Sequence, residues 1–389
     1  MGPTLSRRRL LTGVGCSLAA APLITPMAFA EMPSDNRLVV IILRGAMDGL
    51  DALQPYGDPA LRVLRPGFDI GPAAGAIDLT GFHALHPGLG ALAPMWRQGQ
   101  LGFAQAVSTP YRGRRSHFDG QDILEAGTAG EVPDAQHRDG WLNRLLGAMP
   151  GATGRTAFAI GRDDMLLLRG DAPRATWAPD ARLDLAQATQ DLLLHQYHND
   201  PLFRDNAQKA LSLSAEGLGD DAPTRDADGA LFAFAAARLR EESRIAALSL
   251  PGWDSHRGQR NQVTRMFRRL SDGILRLQAD LGPHWDRTMV VAMTEFGRTA
   301  AENGTQGTDH GTGGTLILAG GALKGGRVWG DWPGLAEAQL LDRRDLMPTR
   351  DVRAYAAWAL RGLFGTDAGL LSRVVFPGLE MGEDPRLTG

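Results

Sequence analysis

The chain of 389 residues carries 41 basic and 44 acidic side chains, a formal net charge of −3 and one cysteine. Basic residues are not in excess, so there is no electrostatic footprint of a nucleic-acid binder. One thiol excludes a disulfide framework and a sulfur-rich metal site.

Residues 1–30 read as an export signal. Ser6-Arg7-Arg8-Arg9-Leu10-Leu11 is close to the twin-arginine pattern, a mildly apolar stretch follows to Phe29, and Ala28-Phe29-Ala30 offers a cleavage site before Glu31. The apolar stretch is broken by Gly13, Gly15, Pro22 and Pro26. The expectation is a cleaved leader, with an uncleaved anchor as the other reading, and a periplasmic or secreted product without a stable membrane span after cleavage. The lone Cys16 lies inside this segment.

From residue 31 the chain reads as a single α/β domain. Arg37–Leu43 is continuous and β-branched, the pattern of a strand covered on both faces. It ends in a glycine- and acid-containing turn, Arg44 to Asp51, where open α/β sheets place ligand groups. Leu89–Trp96 is a short helix candidate and Leu101–Val107 the next strand, leading into the basic loop Tyr111–Arg115 and then Ser116-His117. Thr156–Ile160 and Met165–Leu168 read as short strands. Residues 181–247 have helical spacing, split by Gly217–Asp228, and are expected to cover the sheet; Arg244–Leu250 fits either a helix end or a strand. Asn261–Leu281 repeats apolar residues at helical period, from Val263 through Phe267, Leu270 and Ile274 to Leu281. Thr288–Met293 is another buried strand, Leu316–Ala319 a further one, and Asp351–Phe364 a helix with an acidic start. Strands alternating with helices give a three-layer α/β/α class with a mostly parallel central sheet.

Acids and histidines gather in short stretches: Asp48 and Asp51; Ser116-His117; Asp254-Ser255-His256; Glu295; Asp309-His310. Carboxylates with imidazoles suit zinc, manganese or iron. Each stretch also has a plainer reading. Asp254 could cap a helix, Glu295 could pair with Arg298, and Ser116 could be an N-cap. A hydroxyl at a helix start behind Arg112, Arg114 and Arg115 also suits an anionic group. His195 and His198 read as a surface helix, His83 and His86 as structural. Asp309-His310 stand among glycines in "GTDHGTGG", which lets backbone approach a ligand.

Taken together, "LVVIILRGAMDGLD", "GRRSHFDGQDILEAG", "GWDSHRGQ" and "TEFGRTAAENGTQGTDHGTGG" resemble the bacterial family DUF1501, typically exported by the twin-arginine route. "LHPGLGALAPMW", "GWLNRLL", "KGGRVWGDWPGL" and "PTRDVRAYAAWALRGLFG" extend the resemblance over nearly all of the chain after the leader. That family is similar to the alkaline phosphatase and sulfatase superfamily. The resemblance implies a metal-dependent hydrolase of phosphate or sulfate esters, with Ser116 as nucleophile and Arg114 or Arg115 on the non-bridging oxygens. Asp48, Asp254, His256, Asp309 and His310 are the implied metal ligands, and Glu295 or His117 would fill a gap in one site. The implied cofactor is a divalent metal (zinc, manganese, iron or calcium). The partners are a small-molecule or polymer ester and the twin-arginine machinery. The sequence departs from the superfamily in three places: Arg44 stands where an acid ends the first strand, Asp254 and His256 are two apart, and no histidine follows His310. Those departures suit the alternative, a non-catalytic or degenerate binding protein on the same fold. An exported redox protein finds no haem motif, cysteine cluster or G-x-G-x-x-G fingerprint to support it.

Overall fold

A computed structural model describes residues 34–129, 138–178 and 227–389. The expected leader, the pair His195 and His198, and residues 181–226 of the expected helical segment lie outside the described residues.

Among the described residues the central sheet has nine strands. In chain order they are β1 (Arg37–Arg44), β2 (Leu101–Ser108), β3 (Ala157–Ile160), β4 (Ala175–Trp177), β5 (Ile245–Pro251), β6 (Thr288–Met293), β7 (Gly314–Ala319), β8 (Val328–Trp329) and β9 (Arg350–Asp351). Spatially they run β8-β2-β7-β6-β1-β5-β3-β4, with β9 also against β2. All neighbouring pairs are parallel except those of β7, which is antiparallel to both β6 and β2. The start of β7 therefore lies on the same rim as the ends of β1, β2, β5 and β6.

The strand sequences follow from burial on both faces. Leu38, Val40 and Ile42 of β1 join one core, while Val39, Ile41 and Leu43 join the other. The first core is closed by α1 (His117–Ala126), α2 (Trp141–Ala148) and α5 (Val352–Phe364), through residues such as Leu124, Trp141 and Leu360. The second is closed by α3 (Ala227–Arg240) and α4 (Gln259–Leu281), through Phe232, Phe267 and Ile274. The result is the expected three-layer α/β/α architecture. Among the described residues no helix is long and apolar enough to cross a membrane.

One local expectation is corrected and one open choice is settled. Met165–Leu168 is no strand; Leu166–Leu168 forms a 3-10 turn whose three leucines are buried. Its Leu167 N–H donates to Glu125 in α1 rather than to a strand. Arg244–Leu250 resolves as strand β5, paired with β1 and β3.

Candidate metal centre

Four loops meet at the shared rim. The turn after β1 brings Gly45 and Ala46, and the loop after β2 brings Arg115, Ser116 and His117. The loop after β5 brings Asp254 and His256. Glu295 and Arg298 follow β6, and Asp309 and His310 precede β7. Glycine permits this crowding at two points. A Cβ on Gly307 would stand 2.4 Å from the backbone of His256, and one on Gly311 2.4 Å from that of Arg298. The glycines of "GTDHGTGG" thus let the 307–314 segment lie directly against the other loops.

Asp254 is the centre of the cluster. His256 Nε2 lies 3.1 Å and His310 Nε2 3.3 Å from its Oδ1, and His117 Nε2 lies 3.4 Å from its Oδ2. His256 Nε2 and His310 Nε2 are 2.9 Å apart. One ligand atom each from His117, Asp254 and His310 falls within 4.8 Å of the others.

Each imidazole is held from behind by an oxygen. His117 Nδ1 is 2.7 Å from Glu295 Oε1, His256 Nδ1 is 3.2 Å from Asp309 Oδ1, and His310 Nδ1 is 3.0 Å from the Arg115 carbonyl. An oxygen opposite each Nδ1 places the proton there and leaves the Nε2 lone pair facing Asp254. This is the orientation that metal-ligating histidines adopt. Two further observations fit a cation. His117 Nε2 is buried without a hydrogen-bond partner. The two Nε2 lone pairs of His256 and His310 face each other at a distance that a shared cation or proton relieves. The residues present therefore fit a divalent metal, and the imidazole-rich set suits zinc, iron or manganese better than calcium, which takes oxygen ligands.

The electrostatics are those of a site kept ionised. Burial works to raise the Asp254 carboxyl, but the hydrogen bond and charge of Arg298, with His310 and His117, hold it below the usual range. Burial likewise opposes ionisation of Glu295, and donors from His117, Gln121 and the Gly45 N–H outweigh it. The Asn303 amide lowers Asp309. The Glu295 carboxylate raises His117, whereas burial lowers His310.

The other expected site residues are placed as follows. Glu295 is fully buried and its Oε1 accepts from Gly45 N–H, Ala46 N–H, Gln121 and His117, so it stands behind His117 rather than beside Asp254. Asp309 stands behind His256, fixed by Asn303 Nδ2 at 3.1 Å. Ser116 is the N-cap of α1, its hydroxyl accepting from Asp119 N–H at 3.4 Å, immediately before His117. Arg115 takes positive φ (53°), which turns its carbonyl to His310, and its guanidinium lies 3.6 Å from Asp345. Arg114 is exposed on the same loop. Asp48, expected among the ligands, is elsewhere. Both its oxygens bond Arg65 Nη1, at 3.1 and 2.9 Å, and Gln259 Nε2 adds a bond at 2.6 Å. The Asp51 N–H adds a fourth bond, to Oδ1 at 3.2 Å, so the acceptor positions of this carboxylate are taken.

Three supports escaped the sequence reading. Arg298, considered there as a partner of Glu295, bonds Asp254 Oδ1 at 2.8 Å instead. Gln121 bridges Arg44 and Glu295. Arg44, standing where an acid was looked for, bonds Glu125 and Ser249 and so ties α1 to β5. Gln121 lies one helical turn after His117 in α1, an i,i+4 spacing that put both on one helix face and was the available signal.

The fold and the cluster define an α/β protein with a His/Asp centre at the carboxyl rim of its sheet. Residues 103–357, well over half of the chain, match the family described as "Protein of unknown function (DUF1501)", and the chain belongs to that family. No curated protein matches the chain. Among solved structures, the chain is similar to the C-terminal periplasmic domain of EcEptC from Escherichia coli. That match has 12% identity and a TM-score of 0.42, and covers 90% of this chain and 87% of that one. It is also similar to the PsFucS1 sulfatase from Pseudoalteromonas sp., with 13% identity, a TM-score of 0.40 and coverage of 97% and 75%. A third is a protein in the alkaline phosphatase superfamily from Vibrio parahaemolyticus, with 13% identity, a TM-score of 0.36 and coverage of 97% and 80%. Likeness at this level leaves function to the chemistry of the rim.

Proposed function

We propose that this protein is an exported, metal-dependent hydrolase of phosphate or sulfate esters. The observation that carries the reading is the shared orientation of three imidazoles. Each has Nδ1 held by an oxygen and Nε2 turned to the Asp254 carboxylate.

His117, His256, His310 and Asp254 would hold the divalent cation, which when bound supplies Lewis-acid withdrawal of charge from the ester. Glu295, Asp309 and the Arg115 carbonyl fix the ring orientations, so the ligands need little rearrangement on binding. Ser116 precedes His117 in the chain and is the nucleophile of this scheme. Its Oγ would form a bond to phosphorus or sulfur as its proton is lost to solvent, and the leaving oxygen would depart with the bonding electron pair and take up a proton from solvent. Water then cleaves the serine ester and returns the hydroxyl. Arg114 and Arg115 would hold the non-bridging oxygens, where negative charge must be stabilised. The leader pattern of residues 1–30 supports a site of action outside the cytoplasm.

One observation favours the second reading, a non-catalytic or degenerate binding protein on the same fold. Among the described residues, the hydrogen bond given to the Ser116 hydroxyl is the one from Asp119 N–H, and no base accepts its proton. Screening phosphate and sulfate esters against the metal-loaded protein and its Ser116→Ala variant separates the two. Turnover lost in the variant supports the hydrolase. A metal-loaded protein inert to both ester classes supports the binding protein.

A further inference from the structure

Arg298 is fully buried, and its guanidinium is surrounded by oxygens from three of the four rim loops. Nη2 donates to Gly45 O at 2.6 Å, Trp253 O at 3.1 Å and Asp254 Oδ1 at 2.8 Å. Nε donates to Ala46 O at 2.7 Å, and Nη1 to Thr308 O at 3.3 Å. Four carbonyls and a carboxylate oxygen are the kind of oxygen ligands that a hard cation takes. Here a permanently charged side chain fills that cage. It does so on the same Asp254 oxygen that His256 and His310 face.

The carboxylates that could serve a second ion are used otherwise. Asp48 is bound by Arg65 and Gln259. Asp51 accepts from Gln54 and faces His86. At the end of β1, Arg44 places a cation rather than an acid, bonded to Glu125. Around the centre itself, Asp254 bonds Arg298, Glu295 accepts from Gly45 N–H, Ala46 N–H, Gln121 and His117, and Asp309 accepts from Asn303.

We infer that the centre takes a single divalent ion, and that Arg298 sets that number by standing as a built-in second cation on Asp254. The inference rests on the metal reading above and narrows it. A mononuclear site with a fixed guanidinium offers substrate one exchangeable cation, so the remaining charge of an anionic ester falls to arginine side chains.

The test is a Co(II) and Mn(II) titration of the full metal-free chain, read by absorbance, by metal content after gel filtration and by electron paramagnetic resonance. The expected result is saturation at one equivalent with an uncoupled Mn(II) signal. Two equivalents, or an exchange-coupled signal, overturn the inference while leaving the metal reading standing. No bound ion overturns the metal reading beneath it. Arg298→Ala frees the oxygen cage and is expected to admit an additional, weaker Mn(II), whereas Arg298→Lys is expected to stay at one equivalent. A folded Arg298→Ala that also stops at one equivalent overturns the role given to Arg298. Should that variant not fold, the wild-type count and resonance signal still decide.

Discussion

Two polar clusters in this protein use the same ingredients to opposite ends. In the first, Asp48, Asp51, Arg65, His86 and Gln259 gather with Gln54, a residue of the small sheet formed by Leu53–Gln54, Ile77–Asp78 and Ala84–Leu85. Asp48 and Arg65 are each 1% exposed and 2.9 Å apart, and Arg65 also donates to the Thr299 and Ala300 carbonyls. His86 Nδ1 accepts from Gly88 N–H while Nε2 faces Asp51. Asp48 and Arg65 are tied to each other and to neighbouring donors and carbonyls, and they hold the cluster together. In the second, at the sheet rim, each imidazole has one satisfied nitrogen and one turned inward, and among the described residues His117 Nε2 makes no hydrogen bond although it faces Asp254 Oδ2 at 3.4 Å. A buried polar group left unmatched is costly unless something binds it. Mutual bonding marks a structural network, and convergence of unmatched lone pairs marks a site.

The comparison can be broken in steps. The largest effect is expected from Arg65→Ala, which strands the Asp48 charge in the core. Chemical denaturation should show a loss of about 3–5 kcal/mol, the usual range for breaking a buried pair. A loss under about 1 kcal/mol would mean the first cluster is not a structural one. Asp254→Asn acts on the second cluster and should do the reverse. Its metal-free stability should fall by less than that of Arg65→Ala, because Asp254 is half exposed and an amide oxygen can still accept from Arg298, while metal affinity falls by at least about 100-fold, or about 2.7 kcal/mol. Chelator sharpens that contrast. At a free metal concentration about 100 times Kd, binding stabilises the wild type by about 2.7 kcal/mol. Chelation should therefore lower its melting temperature and leave that of Asp254→Asn unmoved. Glu295→Gln keeps the shape but weakens the grip on His117, and should reduce metal affinity by about 10–100-fold, the range seen for residues that orient a ligand. The smallest effect is expected from Asn303→Ala, which removes the Asp309 contact from behind His256. A cost of about 1 kcal/mol or less in metal affinity, read by calorimetry, is the outcome consistent with its exposed position.

The sheet was legible in the sequence where burial on both faces wrote it. Leu38–Leu43 and Met289–Met293 are apolar without interruption, and the structure gives β1 and β6 over those positions. Met165–Leu168 has the same texture over too few residues to tell a strand from a buried turn, and the turn won. His117, Asp254, His256 and His310 stood out as residues, but their partners did not. Arg298 and Glu295 are three apart and read as a pair. The fold sends them to different histidine-bearing loops because β1 lies between β5 and β6. Nothing local to Gly314–Ala319 shows that β7 runs against its neighbours, yet that reversal alone puts Asp309 and His310 at the working rim. Asp48 illustrates the opposite error. It follows a buried strand, the right place for a ligand, but Arg65 reaches it from 17 residues on.

The most direct measurement is the metal content of the wild-type protein, purified without chelator or affinity metal, beside that of folded Asp254→Asn. The account predicts zinc, manganese or iron bound to the wild type through nitrogen and oxygen ligands, and lost from the variant. A well-folded wild type that holds no metal and takes up none on addition would contradict it, and so would a variant that keeps its metal.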